Sequence, residues 1–384
     1  MNYYISSISL LTALGASPAQ ILRRVLAGDG SSVKEDDSFG KRFLLAAIER
    51  PLQKAGYPLL LQNYLSLCYE KLRGYIEELK KRFGEERIAV VIGSSNCGIE
   101  ETFNNLKGGL NSGSESLSVE TLEIGAPSEF LAEYAGVYGP AYTVSTACSS
   151  SAKAFKSARS LIRANLADAV VVGGVDNLCC FAVNGFDALE ALSSEHSAPF
   201  DKNRSGINIG ESCALAILSP IDLDGEGIRL AGIGESSDAV HITAPAPTGE
   251  PAIAAIKAAL DDAGITPQQI DYINLHGTGT IANDIMESAA INALFGEGVY
   301  ASSTKPITGH TLGASGAVEI AICCLLLSSL NKEHLLPPHN YSEYDRTLKP
   351  IRLVDRGVKV ERLSYCLSNS FAFGGSNTAV VVGR

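Results

Sequence analysis

The stretch Tyr142-Thr-Val-Ser-Thr-Ala-Cys148-Ser-Ser-Ser-Ala152 decides the fold, because it passes from a strand through small residues into a helix. Beyond it, apolar residues recur on one helical face and basic residues lie largely on the other, which is typical of an amphipathic helix. This pattern places Cys148 at a helix N-terminus, where the helix dipole and free backbone N–H groups favour the thiolate. From this segment alone, a tightly packed buried cysteine is an equally good interpretation.

Outward from this stretch, short β-branched runs alternate with longer helical patterns, which predicts an α/β protein with largely buried parallel strands. Helices are predicted from Leu65 to Phe83 and from Ala252 to Ala263, each followed by a glycine. The Ser- and Gly-rich stretch from Asn111 to Glu123 is predicted to be an exposed loop. The predicted strands are Ile88 to Ile92, Ala141 to Val144, Ala169 to Val172, Ala214 to Leu218, Ile228 to Ile233, Tyr272 to Leu275 and Ala379 to Val382.

The turn-rich segment from Asp222 to Gly227 is the best place to divide the 384 residues. Each side carries a strand, helix, strand, helix, strand order, so we expect halves at residues 1–225 and 226–384. Literal repeat identity is not visible, and an ancestral duplication is therefore compatible with the pattern without being required by it.

Composition excludes several classes of protein. Lys plus Arg number 31 against 42 Asp plus Glu, a net charge of −11, which argues against a nucleic-acid-binding protein. The nine cysteines lack any C-x-x-C spacing, so neither a disulfide framework nor a zinc site is expected. The start lacks a basic signal-peptide region, and the apolar stretch from Ala321 to Leu330 is too short to cross a bilayer. We expect a soluble, cytoplasmic protein with no membrane or nucleic-acid partner.

Two further segments contain histidines in settings that suit chemistry. His276 follows an apolar strand in Asn274-Leu-His276-Gly-Thr278-Gly-Thr280, where glycines allow a sharp turn into a cleft. A structural histidine is the alternative. Small residues surround Lys305 and His310 in the other segment, which leads into a helix from Ser315 onward, and Lys305 could form a buried ion pair with Glu319. A solvated loop is the competing interpretation there.

The last segment, Leu367 to Asn377, lies between two terminal strands and carries Phe371 and Phe373 before Gly374-Gly375. The paired phenylalanines could form a hydrophobic lid whose backbone N–H groups face a site. A hairpin with two core aromatics is the favoured interpretation when this segment is considered alone.

Together these segments resemble the β-ketoacyl-acyl carrier protein synthases of the type I/II class, members of the thiolase fold. The resemblance spans most of the chain from about residue 88, in the family's order. It implies two duplicated βαβ-type halves in a five-layered α-β-α-β-α arrangement. The matching segments are Thr146-Ala147-Cys148-Ser149-Ser150, Pro199 through Gly206 with Gly210-Glu211, His241 through Pro245, His276-Gly-Thr-Gly-Thr280, Lys305 through Glu319, and Asn369 through Asn377.

The catalytic residues that the resemblance implies are Cys148, His276, His310, Lys305, Glu319 and Phe373, and four of them would act directly on the substrates. Cys148 would accept the acyl chain from the thioester on the carrier's phosphopantetheine. His276 and His310 would hydrogen-bond the malonyl thioester carbonyl and stabilise the enolate formed on decarboxylation. The backbone N–H groups of Cys148 and Phe373 would form the oxyanion hole, and Phe373 would gate the acyl pocket.

The remaining implied roles are supporting ones. Lys305 and Glu319 would support the histidines, and no metal or redox cofactor is expected, because release of carbon dioxide drives the condensation. Thr278 and Thr280 would touch the pantetheine arm. The predicted substrate-binding residues are Thr278, Thr280, Thr243, Phe371 and Gly374.

The chain also departs from the family pattern. Ala372 stands where the family usually has glycine, which would reduce lid mobility, and Ser212 replaces another glycine. Glu190 lies where several relatives have a basic residue for the carrier. This divergence suits a polyketide or aryl polyene type of elongating enzyme as well as one of fatty acid biosynthesis.

The expected partners are an acyl carrier protein and a second subunit, in a homodimer or a heterodimer. A non-catalytic, chain-length-determining subunit is the alternative function, and the retained Cys148 argues against it. Acyl carriers are acidic, so basic residues are expected to contact them. The candidates are Lys41, Arg42, Arg159 and Arg163, for which solvated helix faces are the alternative.

Overall fold

The computed structural model describes residues 2–49, 57, 59–104 and 122–384. The predicted loop from Asn111 to Glu123 lies almost entirely outside these residues. Within them, no helix combines the length and apolar character that crossing a membrane requires.

Strands and helices alternate along much of the chain. The strands are β1 (Tyr4–Thr12), β2 (Lys34–Asp36), β3 (Phe43–Leu45), β4 (Ile88–Gly93), β5 (Ala141–Val144), β6 (Ala169–Asp176), β7 (Ser212–Ser219), β8 (Arg229–Ser237), β9 (Tyr272–Asn274), β10 (Tyr300–Ser302), β11 (Arg352–Leu353), β12 (Tyr365–Ala372) and β13 (Ser376–Gly383). The helices are α1 (Pro18–Ala27), α2 (Leu60–Phe83), α3 (Ala126–Ala135), α4 (Ser150–Arg163), α5 (Cys180–Ala188), α6 (Glu250–Ala263), α7 (Ile281–Phe295), the single turn α8 (Lys305–Thr308) and α9 (Ser315–Leu327).

The sheet shows that the two halves of the chain have the same topology. Eleven described strands pair in the order β11-β10-β9-β12-β13-β8-β1-β7-β6-β4-β5. In the first half, β1, β7 and β6 pair antiparallel and β6, β4 and β5 pair parallel. In the second half, β8, β13 and β12 repeat the antiparallel part, and β12, β9 and β10 repeat the parallel part. The structure therefore contains the duplication that the sequence only allowed.

Three apolar clusters divide the fold into five layers. The central cluster packs α4 and α9 between the two half-sheets. A second cluster packs α2 and α3 on the outer face of the first half-sheet, and a third packs α6 and α7 on the outer face of the second. The α-β-α-β-α thiolase-like arrangement implied by the resemblance is confirmed.

Glycines let the central helices approach their neighbours closely. A Cβ atom at Gly93, the last residue of β4, would lie 2.3 Å from the backbone of Ser151 in α4. A Cβ atom at Gly316 in α9 would lie 2.8 Å from that of Ala152. No real side chain fits at such distances, so these positions require glycine. The same approach brings the start of α4 against the start of α9.

Each predicted strand exists, but the expectation of a largely parallel sheet is wrong, because each half contains two antiparallel pairings. Buried strands are apolar on both faces whatever their direction, so the composition of the strands did not reveal the antiparallel pairings. The sequence analysis also missed β1, a central strand whose buried Ser6 and Ser9 mask its apolar pattern. The predicted division between residues 225 and 226 lies in the turn that joins β7 to β8.

We expect Gly93→Ala to lower the free energy of unfolding by about 3 kcal/mol, because the new methyl group would overlap the backbone of Ser151. Gly74→Ala is the matched control, because a Cβ atom at this exposed position of α2 would meet nothing within 4 Å. It should raise the free energy of unfolding by about 0.5–1 kcal/mol. Urea unfolding followed by circular dichroism measures both changes. A Gly93→Ala variant as stable as the unmodified protein would contradict the close approach.

Candidate functional site

Cys148 lies in the turn between β5 and α4. Ala147 has φ +50°, an unfavourable conformation for a residue with a side chain and one often found at functional sites. The hydroxyl of Ser150 fixes the turn, because it accepts a hydrogen bond from the Thr146 N–H at 2.8 Å and donates one to the Ala147 carbonyl at 2.6 Å. The turn therefore presents Cys148 just ahead of the helix.

The expectation that the helix N-terminus favours a Cys148 thiolate is wrong for the resting site. The N-cap of α4 is Ser149, so Cys148 precedes the first helical turn. Burial raises the pKa of its thiol to about 12, and the nearby charge of Lys305 offsets only part of that effect. The resting group at neutral pH is a thiol.

His276 follows β9 at the start of a turn through Gly277 and Gly279, both of which have positive φ. Glu287, in α7, holds this backbone in place. Its carboxylate accepts hydrogen bonds from the N–H groups of His276 at 2.8 Å and Gly277 at 2.7 Å. The Nδ1 atom of the His276 ring is buried and has no hydrogen-bond partner among the described residues.

His310 lies between α8 and α9, and its ring centroid is 5.7 Å from that of His276 in an edge-on arrangement. The Leu312 N–H donates to His310 Nδ1 at 3.2 Å. Because Nδ1 is an acceptor, the neutral ring carries its proton on Nε2 and can donate from there. Burial, reinforced by the charge of Lys305, lowers the pKa of both histidines well below 6.5. Both rings are therefore neutral at pH 7.

Lys305 and Glu319 form the buried ion pair that the sequence analysis considered. Both side chains are 2% exposed, and the Ser315 hydroxyl also donates to the Glu319 carboxylate at 3.3 Å. The competing interpretation of this segment as a solvated loop is wrong, because Lys305, His310 and Glu319 are all buried. The pair does not line the cleft, but the charge of Lys305 acts on both histidines.

One cleft with about 590 Å³ of empty space brings most of the predicted residues together. Thr278 and Thr280 are joined by a hydrogen bond of 2.9 Å between their hydroxyls. Gly374 lies beside the cleft without lining it, and its N–H donates to the Ile242 carbonyl at 2.7 Å. The predicted residues that line the cleft are Cys148, His276, His310, Thr243, Thr278, Thr280, Phe371 and Phe373.

The Phe371 to Gly375 segment belongs to a hairpin, as the favoured interpretation expected. Phe371 is buried but Phe373 is only partly buried, so the expectation of two core aromatics is wrong, and the lid stays a prediction. β12 and β13 form an antiparallel hairpin, and its turn also lines the cleft. The Phe373 ring stacks against that of Phe186, with centroids 5.7 Å apart. Ala372 has φ −104°, so a residue with a side chain is unstrained where relatives have glycine.

The sequence analysis missed the buried carboxylate of Asp176, which holds the turns around the site. It accepts hydrogen bonds from the Ser95 and Asn96 N–H groups, both at 2.9 Å, and from the Ala314 N–H at 3.1 Å. Burial raises its pKa to about 6. The Asn369 side chain also donates to Glu287 at 3.3 Å, another contact that was not anticipated. Neither acid belongs to a motif with an obvious chemical pattern, so only the fold reveals them.

Three of the four basic residues predicted to contact a carrier form ion pairs within the chain. Lys41 pairs with Asp187 at 2.7 Å, and Arg42 pairs with Glu35. Arg159 is buried and pairs with Asp262 at 2.5 Å, so a docking role for it is wrong. Arg163 ends α4, about 20 Å along the helix from its Cys148 end.

The fold and the cleft together define an acyltransferase of the thiolase-like fold. Models of the β-ketoacyl synthase N-terminal and C-terminal domains match residues 70–222 and 228–341. A 3-oxoacyl-[acyl-carrier-protein] synthase 2 from Coxiella burnetii is 33% identical over 99% of this chain and 98% of that protein. The chain belongs to the β-ketoacyl-acyl carrier protein synthase family, as the resemblance implied.

Other relatives agree with this assignment. A 3-oxoacyl-[acyl-carrier-protein] synthase 2 from Rhizobium meliloti is 37% identical, but the match covers only 64% of this chain and 61% of that protein. A solved complex of a ketosynthase with its chain length factor from Xenorhabdus doucetiae contains a chain with 40% identity and a TM-score of 0.92. That match covers 100% of this chain and 98% of the other. A β-ketoacyl synthase from Burkholderia phymatum is 26% identical, with a TM-score of 0.86 and coverage of 100% and 99%.

We expect the double variant Lys305→Met/Glu319→Gln to raise the pKa of His276 and His310, because the positive charge that disfavours each imidazolium is gone. Replacing both partners leaves no unpaired buried charge. Titration of the imidazole NMR signals measures the shift. In the unmodified protein both signals should titrate well below pH 6.5. Ser315→Ala is the control, since it removes the hydrogen bond to Glu319 and keeps both charges of the ion pair. An unchanged pKa in the double variant would contradict the electrostatic role.

Proposed function

We propose that this chain catalyses the decarboxylative condensation of a Cys148-bound acyl chain with a malonyl unit on an acyl carrier protein. One observation carries the proposal, namely that Cys148, His276 and His310 line the same cleft. A sulfur nucleophile suits thioester exchange, and two neutral hydrogen-bond donors suit decarboxylation. Relatives named 3-oxoacyl-[acyl-carrier-protein] synthase 2 support the same reaction.

In the first step, Cys148 Sγ attacks the carbonyl carbon of the acyl thioester. The bond to the phosphopantetheine sulfur breaks, and the proton of the Cys148 thiol ends on that leaving sulfur. Burial raises the pKa of the thiol, so the sulfur has to lose its proton in this step to act as a nucleophile. The backbone N–H groups of Cys148 and Phe373 would stabilise the charge that develops on the carbonyl oxygen.

In the second step, the malonyl thioester loses carbon dioxide and its carbonyl oxygen becomes an enolate oxygen. His310 Nε2–H and the His276 ring would donate hydrogen bonds to this oxygen. The enolate carbon then attacks the acyl carbonyl, the carbon–sulfur bond to Cys148 breaks, and the released thiolate takes a proton from solvent. Neutral imidazoles suit this role, because they donate a hydrogen bond without adding a buried charge.

The other predicted residues would position the substrates. Lys305 and Glu319 would keep the histidines neutral and in place, while Phe373, packed on Phe186, would gate the acyl pocket. The substrate-binding set would contact the pantetheine arm and the acyl chain, with Gly374 acting through its backbone. That set is Thr243, Thr278, Thr280, Phe371 and Gly374. The thioesters supply all the chemistry, so the proposal includes no metal or redox cofactor. The proposal also places the protein in the cytoplasm.

A second subunit is part of the proposal. The match to a chain of a ketosynthase and chain length factor complex supports a heterodimer, and a homodimer is the other possibility. The same match favours the second candidate function, a chain-length-determining subunit with little activity of its own. Cys148 distinguishes the two functions, because a subunit that only sets chain length needs no nucleophile.

The Cys148→Ala variant lacks the residue that accepts the acyl chain. It should therefore show no acyl-dependent release of carbon dioxide, that is, no release from malonyl carrier protein that requires an acyl carrier protein as the second substrate. His310→Ala should keep acyl transfer to Cys148 and lower the condensation rate by about 100-fold or more, the effect typical of losing an oxyanion donor. Radiolabelled carbon dioxide and the intact mass of the protein measure the two steps. Ser149→Ala keeps the thiol and is the control. Undiminished condensation by Cys148→Ala would overturn the proposal.

The chain co-expressed with its genomic neighbour should give a two-subunit species in native mass spectrometry, and a chain that forms a homodimer should also give one when expressed alone. Condensation activity of the chain expressed alone indicates a competent homodimer, and activity only after co-expression indicates an obligate heterodimer. Monomers in both preparations would contradict the two-subunit proposal.

A further inference from the structure

His339 is a buried histidine between α9 and β11 that does not line the cleft and that the sequence analysis did not single out. We propose that His339 is a positioning residue for the condensation step, and that it acts on His276 through Ser303. This inference rests on the proposed function, because it concerns how one of the two histidines that would bind the enolate oxygen is held in place.

Both ring nitrogens of His339 are hydrogen-bonded to backbone groups from two other parts of the chain. The Ser303 N–H donates to Nδ1 at 3.0 Å, and Nε2 lies 2.8 Å from the Pro199 carbonyl oxygen. An N–H group can only donate and a carbonyl can only accept, so the ring is neutral with its proton on Nε2. Burial lowers the pKa of His339 to about 4, so the ring keeps this form at pH 7.

The contact with Ser303 joins His339 to the turn that carries His276. The Ser303 hydroxyl donates a hydrogen bond to the Gly277 carbonyl at 2.7 Å and accepts one from the Lys305 N–H at 3.3 Å. Because Gly277 directly follows His276, a displacement of Ser303 is transmitted to the backbone that carries the His276 ring. His339 therefore reaches the site through two hydrogen bonds in series.

The contact with Pro199 holds a second residue that packs against the same turn. Pro199 precedes Phe200, whose ring is buried and has its centroid 5.8 Å from that of His339. A Cβ atom at Gly277 would lie 2.5 Å from the Cβ atom of Ser303 and 3.4 Å from the Phe200 ring. His339 thus fixes both of the residues against which Gly277 packs.

The two reacting groups of the site depend on His339 to different extents. The turn that presents Cys148 is fixed by the hydroxyl of Ser150 instead. Glu287 also holds the His276 N–H, so loss of the His339 contacts should shift the His276 turn without unfolding it. Acylation needs Cys148, whereas condensation also needs His276. A positioning role for His339 therefore predicts that condensation suffers and acylation does not.

The test compares acylation and condensation in His339→Phe, which keeps a buried aromatic ring and loses both hydrogen bonds. This variant should lower kcat for condensation by about tenfold, because a small displacement of a catalytic group lowers the rate steeply. KM for malonyl carrier protein should stay within about twofold, since the lost interaction belongs to the transition state. Acylation of Cys148 should also stay within about twofold, since its turn is fixed separately. Intact mass measures acylation, and release of radiolabelled carbon dioxide measures condensation.

Ser303→Ala removes the hydroxyl that donates to Gly277 and should reproduce the same split between condensation and acylation. The combined variant His339→Phe/Ser303→Ala should be about as active as the less active single variant, because both changes break the same connection. Ser219→Ala is the matched control, because Ser219 is also buried and its hydroxyl donates to the Ile221 carbonyl at the same distance of 2.7 Å. It should leave both half-reactions unaffected.

His339→Asn separates the two hydrogen bonds. Its amide oxygen can accept from the Ser303 N–H as Nδ1 does, whereas its side chain is too short to reach Pro199. It should therefore keep more condensation activity than His339→Phe. If His339→Asn is as impaired as His339→Phe, transmission through Ser303 is wrong.

An equal loss of acylation and condensation in His339→Phe would show a purely structural role and overturn the proposal. Unchanged condensation in the folded variant would overturn it as well. If His339→Phe does not fold, which circular dichroism shows, the same two outcomes in Ser303→Ala decide the question.

A readout that needs no turnover separates this inference from the proposed function. The imidazole NMR signal of His276 should shift in His339→Phe and stay unchanged in Ser219→Ala. If the unmodified protein is neither acylated nor active in condensation, the proposed function has failed, and this signal still reports whether His339 positions His276. An unshifted His276 signal in His339→Phe would contradict the positioning role.

Discussion

The carboxylate of Asp176 is the contact on which the geometry of the site depends. It ends β6 in the first half of the chain and receives hydrogen bonds from the turn that follows β4 and from Ala314 in the second half. A Cβ atom at Gly313 would lie 2.7 Å from one of its oxygens, so that position has to be glycine. One buried acid thus joins the two halves where α4 and α9 begin. Cys148 precedes one of these helices and His310 precedes the other.

The duplicated topology of the two halves explains why Cys148 and His310 lie close together. β5 leads into α4, and β10 leads into α9, at equivalent places in the two halves. When the two inner helices pack together between the half-sheets, the turns ahead of them face each other. Burial then sets the chemistry, because it keeps the Cys148 thiol protonated and, together with the charge of Lys305, keeps both histidines neutral. The reacting groups of the site are therefore buried and uncharged at rest.

Much of this could be predicted from the sequence. The motifs around Cys148, His276 and Lys305 identified the family and the members of the cleft, since each couples a local turn to a chemical group. The roles of Asp176 and Glu287 could not be predicted, because their contacts join residues far apart in the chain or fix backbone N–H groups. The state of Cys148 was misjudged for a related reason. A helix N-terminus is visible in a sequence, whereas the burial that outweighs it depends on tertiary packing.

The central claim is that Cys148, alone among nine cysteines, accepts the acyl chain. It is the cysteine that lines the cleft, and Cys180 is the one whose burial is incomplete. The most direct measurement is peptide mapping by mass spectrometry of the unmodified protein after incubation with an acyl carrier thioester. A single acyl adduct on the peptide that contains Cys148 is the predicted result. An adduct on Cys180 or on any other cysteine, with Cys148 unmodified, would contradict the account.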